Sequence, residues 1–346
     1  MELSERIKLL DQLGKFLIGY CNNHATNRKD IFFSKLHSAL EKSQISNPYF
    51  ENANIIQSLS YWGETLNEKK LNLFVKGYKF VGFKNVGIIM AGNIPLVGFH
   101  DFLCVFLSGN KSVIKLSKKD EELFLWIISY LKSLNEEFHK YVEICNNRLE
   151  KYDCVIATGN QFSANQFKKY FDSIPHIIRS SRFSVAILDG NEKKEDLQKL
   201  SNDIFMYYGL GCRSVSKIYL PKDYDLDILF KQVYSWKDII NNSSYYNNYT
   251  YNKTIYLMSE EKFFDNGFLI LKESTEIGSP IGAVFFEYYE NDNTVIKSLK
   301  KYSEKIQCIV GKNIVENSIE FGNTQRPSLD DFADKINTLD FLLKLS

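Results

Sequence analysis

One cysteine of this chain stands where a nucleophile would need to be. The stretch YYGLGCRSVSKIYL (207–220) puts Cys212 directly after Gly-Leu-Gly, at the mouth of a strand-like apolar run. A structural thiol prefers apolar surroundings, whereas a reactive one needs backbone that lets a substrate come close. The preceding EDLQKLSNDIFMYY reads as a helix, and Gly209 suits its left-handed cap. Gly211 removes a side chain beside the sulfur, and Arg213 adds a cation that favours thiolate. From the residues alone, Cys212 is as much an ordinary small residue in a tight turn as a thiol presented to substrate.

Three further segments carry polar groups at predicted strand ends. In AGNIP (91–95) a strand ends at Ala91, Gly92 gives room, Asn93 presents an amide and Pro95 suits a helix start. Such an amide can donate to a developing oxyanion, or it can simply cap the helix. In KLSKKD (115–120), Lys115, Lys118 and Lys119 place positive charge at a strand's carboxyl edge. That suits a phosphate or ribose-phosphate, or a solvated basic loop. ATGNQ (157–161) reads as strand, Gly159-Asn160 turn and helix start, whose amides can hold a dinucleotide's phosphate. Neither the G-x-G-x-x-G nor the Walker fingerprint is present.

The elements that must position these residues alternate. The first ~80 residues read as mainly helical, with Ile7, Leu10, Leu13 and Phe16–Leu17 at helical spacing. From Lys84 onward, strand-like runs follow one another at 85–91, 112–116, 153–157, 183–188, 215–220 and 282–288. Helical candidates lie between them, at about 96–107, 120–138, 161–171, 194–208 and 225–240. This alternation predicts parallel βαβ units, an α/β fold with ligands beyond the carboxyl ends of the strands, at AGNIP, KLSKKD, ATGNQ and the loop holding Cys212. NNSSYYNNYTYN (241–252) is polar without periodicity and reads as a surface loop, or a groove lined by its tyrosines.

Composition excludes several classes. Lysine plus arginine (43) balances aspartate plus glutamate (42), so no global field recruits nucleic acid or an anionic membrane. No apolar run is long enough for a spanning helix, and the charged amphipathic start lacks signal-peptide features. The six cysteines and five histidines are scattered, which argues against a metal site and for reduced thiols in a cytoplasmic protein.

Taken in order, GNIPL, SGNKSVIKLS, ATGN, GLGCRSVSKIYLP, SPIGAVFFEYY and FGNTQRPSLDDFADKINTLDFL resemble the aldehyde dehydrogenase superfamily. Within it, the chain resembles the acyl-CoA reductase family that includes the reductase subunit of bacterial bioluminescence. The resemblance implies a helical segment at 1–80 and a Rossmann-type cofactor domain at 81–182. It further implies an α/β catalytic domain at 183–315 and a C-terminal segment at 316–346. Cys212 falls at the nucleophile's position and Asn93 at that of the oxyanion-hole amide, with the Cys212 N–H as second donor. Lys115 matches the lysine that holds the cofactor's adenosine ribose, and Gly159 and Asn160 the second cofactor loop. Glu276, in EIGSPIG, matches the Glu-x-x-x-Pro element that grips the nicotinamide ribose. Lys118 stands where NAD-preferring relatives often carry a glutamate. An ammonium there attracts a 2′-phosphate, so the implied cofactor is NADPH.

One departure is informative. Relatives that oxidise aldehydes to acids carry a water-activating glutamate just before the FSVAIL-like strand. This chain reads IIRSSRFSVAIL, with Arg179 near that place. The implied reaction is reduction of a long-chain acyl-CoA, or another acyl thioester, to the aldehyde through a cysteine acyl-enzyme. Two alternatives stay open. One is a non-acylating aldehyde dehydrogenase; the other is a catalytically silent subunit serving a partner synthetase or acyl-transfer protein.

Overall fold

The computed structural model describes residues 1–23, 30–145, 147–311, 315–316 and 318–345. Four helices open the chain: α1 (Leu3–Asn23), α2 (Ile31–Ser46), α3 (Asn52–Thr65) and α4 (Glu68–Phe74). The expected α1 stripe of Ile7, Leu10, Leu13 and Leu17 is buried in one core with Ile55, Leu59 and Trp62 of α3. Alternation follows as β1 (Asn85–Ile89), α5 (Phe99–Ser108), β2 (Lys111–Lys115), α6 (Glu121–Leu134), β3 (Val142–Ile144), β4 (Cys154–Thr158), α7 (Gln161–Tyr170) and β5 (His176–Arg179). A second run holds β6 (Phe183–Ile187), α8 (Lys194–Phe205), β7 (Val215–Pro221), α9 (Leu226–Val233), α10 (Ser243–Met258), β8 (Phe264–Asp265), β9 (Ile270–Glu273), β10 (Ala283–Tyr289), α11 (Asp292–Lys301) and β11 (Ile306–Gly311). A short α12 (Thr338–Leu343) closes the chain.

Two compact units result: Met1–Ser180 with Ser328–Ser346, and Ser181–Pro327. The first has a five-stranded parallel sheet in the order β3-β2-β1-β4-β5. Its order reverses beside β1, the topological switch point at which doubly wound sheets bind ligands. The central strands bury their apolar residues on both faces, as a helix-covered parallel sheet requires. α5 is buried on nearly every side, which its FHDFLCVFLS composition permits. The second unit has a six-stranded sheet, β11-β6-β7-β10-β9-β8, parallel except for the short antiparallel β8. The expected α/β class is therefore present twice.

Two local expectations are corrected. Residues 243–252 of that segment form no loop but most of α10, started by Asn242, whose side chain accepts the amides of Ser244 and Tyr245. Its buried face is Tyr245, Tyr249, Asn252 and Tyr256, a helical spacing made of polar residue types. Tyrosine buries a ring while its hydroxyl is satisfied: Tyr245 donates to the Phe268 carbonyl (2.9 Å) and Tyr249 to Asp265 (2.7 Å). Helix α5 starts at Phe99, three residues later than expected, because Leu96 takes a left-handed conformation (φ +57°) that no helix can include.

Candidate active site

In the second unit, Cys212 is half-buried on a turn that joins α8 to β7. It thus stands at the amino end of its strand and not beyond a carboxyl end as expected, because its turn feeds β7 instead of leaving a strand. The turn is held by its backbone. Ser184 Oγ on β6 donates to the Cys212 carbonyl (2.9 Å), and Ser214 N–H donates to the Gly211 carbonyl (3.0 Å). Gln325 Nε2 donates to Ser214 Oγ (3.2 Å). Upstream, Tyr207, Tyr208 and Gly209 all take left-handed conformations (φ +54°, +58° and +74°). Gly209 does so freely, but each tyrosine is disfavoured there by about 1–2 kcal/mol. Both tyrosines are buried, so packing imposes the bend that turns the chain towards Cys212.

Most of the other thiols are unsuited to nucleophilic work. Burial pushes Cys104 well above its ordinary range, Cys154 up to about 12 and Cys21 up to about 11, and it also raises Cys145. These stay protonated at neutral pH. Cys308 is buried on β11 with its sulfur 2.9 Å from Ser184 Oγ.

Glu276 is exposed on the loop between β9 and β10. β7 pins that loop at two points. Ser216 Oγ donates to the Ile277 carbonyl (3.3 Å), and Lys217 Nζ to the Ser274 carbonyl (3.0 Å). Lys217 is fully buried and also pairs with Glu287. The Glu276 loop is therefore fastened to the first residues of the strand that the Cys212 turn enters.

In the first unit, the loop after β1 and the turn after β2 lie side by side. A β-carbon at Gly92 would sit 2.4 Å from Ser117 Oγ, so this approach needs glycine. Asn93 is half-buried in that loop, ahead of α5 rather than at its cap. Lys115 ends β2, donates to the Asn147 carbonyl and lines a cleft of about 510 Å³. Ile89, Arg148, Phe167, Lys169 and Tyr170 also line it. Lys118 is exposed on the adjoining turn. Gly159 donates its N–H to the Arg179 carbonyl (3.2 Å), and Asn160 caps α7 by accepting from Ser163 N–H (2.8 Å). Ile89 and Lys115 put the cleft at the carboxyl ends of β1 and β2, and three cations and three aromatic rings, the third that of Phe171, stand in its wall. Such a lining fits a nucleotide: cations for phosphate, ring faces for the base.

Arg179, at the end of β5, is committed elsewhere. It is 3% exposed, and Nη1 donates to both oxygens of Asp101 (2.7 and 2.6 Å) while Nη2 donates to Thr338 Oγ1 (2.9 Å). Sequence reasoning missed Asp101, Asp120 and Asp203. Asp203, 1% exposed on α8, accepts from Gly322 N–H (2.6 Å), Thr324 N–H (3.1 Å) and Thr324 Oγ1 (2.8 Å), fixing the segment from which Gln325 reaches Ser214. Asp101 and Asp203 lie inside helices and Asp120 ends KLSKKD, and no spacing along the chain announces their partners. Among the described residues no cluster could hold a metal ion, and no helix is long and apolar enough to cross a membrane.

Comparison with solved structures decides the fold. Aldehyde dehydrogenase 21 from Physcomitrella patens superposes with a TM-score of 0.71 at 12% identity, covering 100% of this chain and 84% of that one. The chain has the aldehyde dehydrogenase fold. The NAD⁺ complex of the Bacillus cereus aldehyde dehydrogenase gives a TM-score of 0.65 at 11% identity, over 91% of this chain and 73% of that one. The Mycobacterium tuberculosis aldehyde dehydrogenase complexed with NAD⁺ gives 0.62 at 12% identity, over 90% and 73%. Residues 78–230 match the family model described as acyl-CoA reductase (LuxC). That segment holds Asn93, Lys115, Lys118, Gly159, Asn160 and Cys212, but not Glu276. The family model thus bears out the resemblance over 78–230, which holds four of the six ordered motifs, and the fold is the one the resemblance implied. No curated protein sequence matches the chain significantly.

Proposed function

We propose that the chain reduces an acyl-CoA thioester to the aldehyde through an acyl-enzyme on Cys212. The observation that carries this reading is a pairing of features. A half-buried thiol sits on a glycine-flanked, backbone-clamped turn, and residues 175–188, where the resemblance expects a water-activating glutamate, hold no carboxylate, Arg179 near that place being locked to Asp101. The Cys212 thiolate attacks the thioester carbonyl, forming a new C–S bond as the CoA thiolate leaves with its electron pair. The Asn93 amide and the Cys212 N–H are the assigned donors to the oxyanion formed on the way. Arg179 carries no basic lone pair at neutral pH and cannot deprotonate water, so the acyl-enzyme persists. NADPH, when bound, supplies the hydride that reduces the acyl carbonyl. Collapse of the resulting thiohemiacetal frees the aldehyde and regenerates Cys212.

Lys115, Gly159, Asn160 and the cleft lining would hold the cofactor's adenosine side, and Glu276 its nicotinamide ribose. Lys118, exposed on the turn after β2, and Arg148 and Lys169 in the cleft wall supply positive charge, which favours a 2′-phosphate. Calorimetry should find 2′,5′-ADP bound about 10–100-fold tighter than 5′-AMP, the range of one or two charge-assisted contacts. Lys118→Glu should erase the preference. Equal affinity of the native protein for both ligands would remove the NADPH assignment.

The reaction is tested by intact-protein mass spectrometry after incubation with a long-chain acyl-CoA and no NADPH. One acyl group should add and map to Cys212. Release of free fatty acid without a lasting adduct would instead support a hydrolysing enzyme.

A further inference from the structure

The loop carrying Asn93 is gripped from several sides. Asn47, at the end of α2, donates from Nδ2 to the Gly92 carbonyl (3.2 Å). Ser58 on α3 donates from Oγ to the Pro95 carbonyl (2.9 Å). Asp120 accepts the Leu96 N–H on Oδ2 (2.8 Å). All three bonds are buried.

Asp120 is the unusual member. It occupies the N-cap position of α6, where an aspartate normally accepts from its own helix's first turn. Its side chain makes no such bond. It turns inward instead, 7% exposed, with its Cβ placed where a β-carbon on Gly92 would lie 3.3 Å away. Burial drives its carboxyl well above the ordinary range, and the Leu96 and Val97 amides only partly oppose that. Leu96 adds its own cost, a left-handed backbone in a non-glycine residue. A surrendered cap, a buried carboxyl and a strained leucine thus converge three residues beyond Asn93. A fold keeps such features together where the surroundings over-determine a geometry that function uses.

We infer that Asp120 is a positioning residue for Asn93, fixing the loop through Leu96 while Asn47 and Ser58 fix its carbonyl side. The amino-terminal helices then serve as the template for the loop that meets the oxyanion. This rests on the assignment of Asn93 to the oxyanion.

The test is steady-state aldehyde formation in Asn93→Ala, Asp120→Ala, Asp120→Asn, Ser58→Ala and the double variant Asn93→Ala with Asp120→Ala. Asp120→Ala should lower kcat about 10–100-fold, part of the 10²–10³ that one oxyanion donor is worth. KM for acyl-CoA and affinity for 2′,5′-ADP should stay within about twofold, since the donor acts in the transition state. Asp120→Asn keeps an acceptor oxygen and should recover most of the rate. Ser58→Ala should reproduce the kcat loss in milder form, which keeps the idea testable if Asp120→Ala does not fold. The double variant should be no slower than Asn93→Ala, because one residue acts through the other. A crippled Asn93→Ala beside normal kcat in Asp120→Ala and Ser58→Ala, or full additivity in the double variant, overturns the inference alone. An active Asn93→Ala overturns the oxyanion assignment beneath it.

Discussion

Cys212→Ala should abolish aldehyde formation, by a factor on the order of 10⁴–10⁶, while leaving the protein folded. Loss of a nucleophile that works as part of a unit costs this much elsewhere, because nothing else can form the covalent bond. The fold should tolerate the change because Cys212 contributes to it through its backbone. Its carbonyl accepts from Ser184 and its turn is closed by the Gly211–Ser214 bond, both of which alanine keeps. The checks are the acyl adduct, absent from the variant, and 2′,5′-ADP affinity, unchanged. Turnover above about a hundredth of the native rate, a deficit of only ~2.7 kcal/mol in activation free energy, would point to another nucleophile. Cys308, which shares Ser184 with the Cys212 carbonyl, would then be the sulfur to map.

Arg179→Leu should destabilise the first unit by about 3–5 kcal/mol, the usual cost of stripping one partner from a buried ion pair. The variant leaves the Asp101 carboxylate in place at 8% exposure with its two strongest bonds gone, and it frees Thr338 on α12 as well. Urea unfolding followed by fluorescence reads this, since Trp62 and Trp126 lie in that unit's core. Because the chain has two units, the shift belongs to that unit's transition rather than to one global event. Arg179→Leu combined with Asp101→Leu should recover much of the loss, as apolar replacement of a whole buried pair often does. An unmoved midpoint in the single variant would mean that the pair does not brace this unit. The structural conclusion matters for mechanism: a guanidinium with two carboxylate bonds is a brace, not a base.

Much of the fold was legible because its signals are local. Apolar runs such as NVGII and KSVIK become strands buried on both sides, and a helix separates them because parallel neighbours need a crossover. The helical start was legible from α1's stripe. α10 was not, because its buried face is made of tyrosines and an asparagine, polar types whose burial depends on distant partners such as the Phe268 and Ile281 carbonyls and Asp265. The edge strand β8 has only two residues, too few for a period to register.

The candidate site divides in the same way. The sequence by itself determined which groups are available: a glycine-flanked thiol, an amide after a strand, lysines at a strand end, and no glutamate before β6. Each depends on residue type and order, which a linear pattern carries. Only the tertiary structure decided what those groups are fastened to. Asp120 bonding Leu96, Asp203 fixing the tail, Ser184 holding the Cys212 carbonyl and Asp101 locking Arg179 join residues 24 to 121 positions apart. Hydrogen bonds of that kind act over about 3 Å in space and leave no period along the chain, so they exist only once the sheets have brought their ends together.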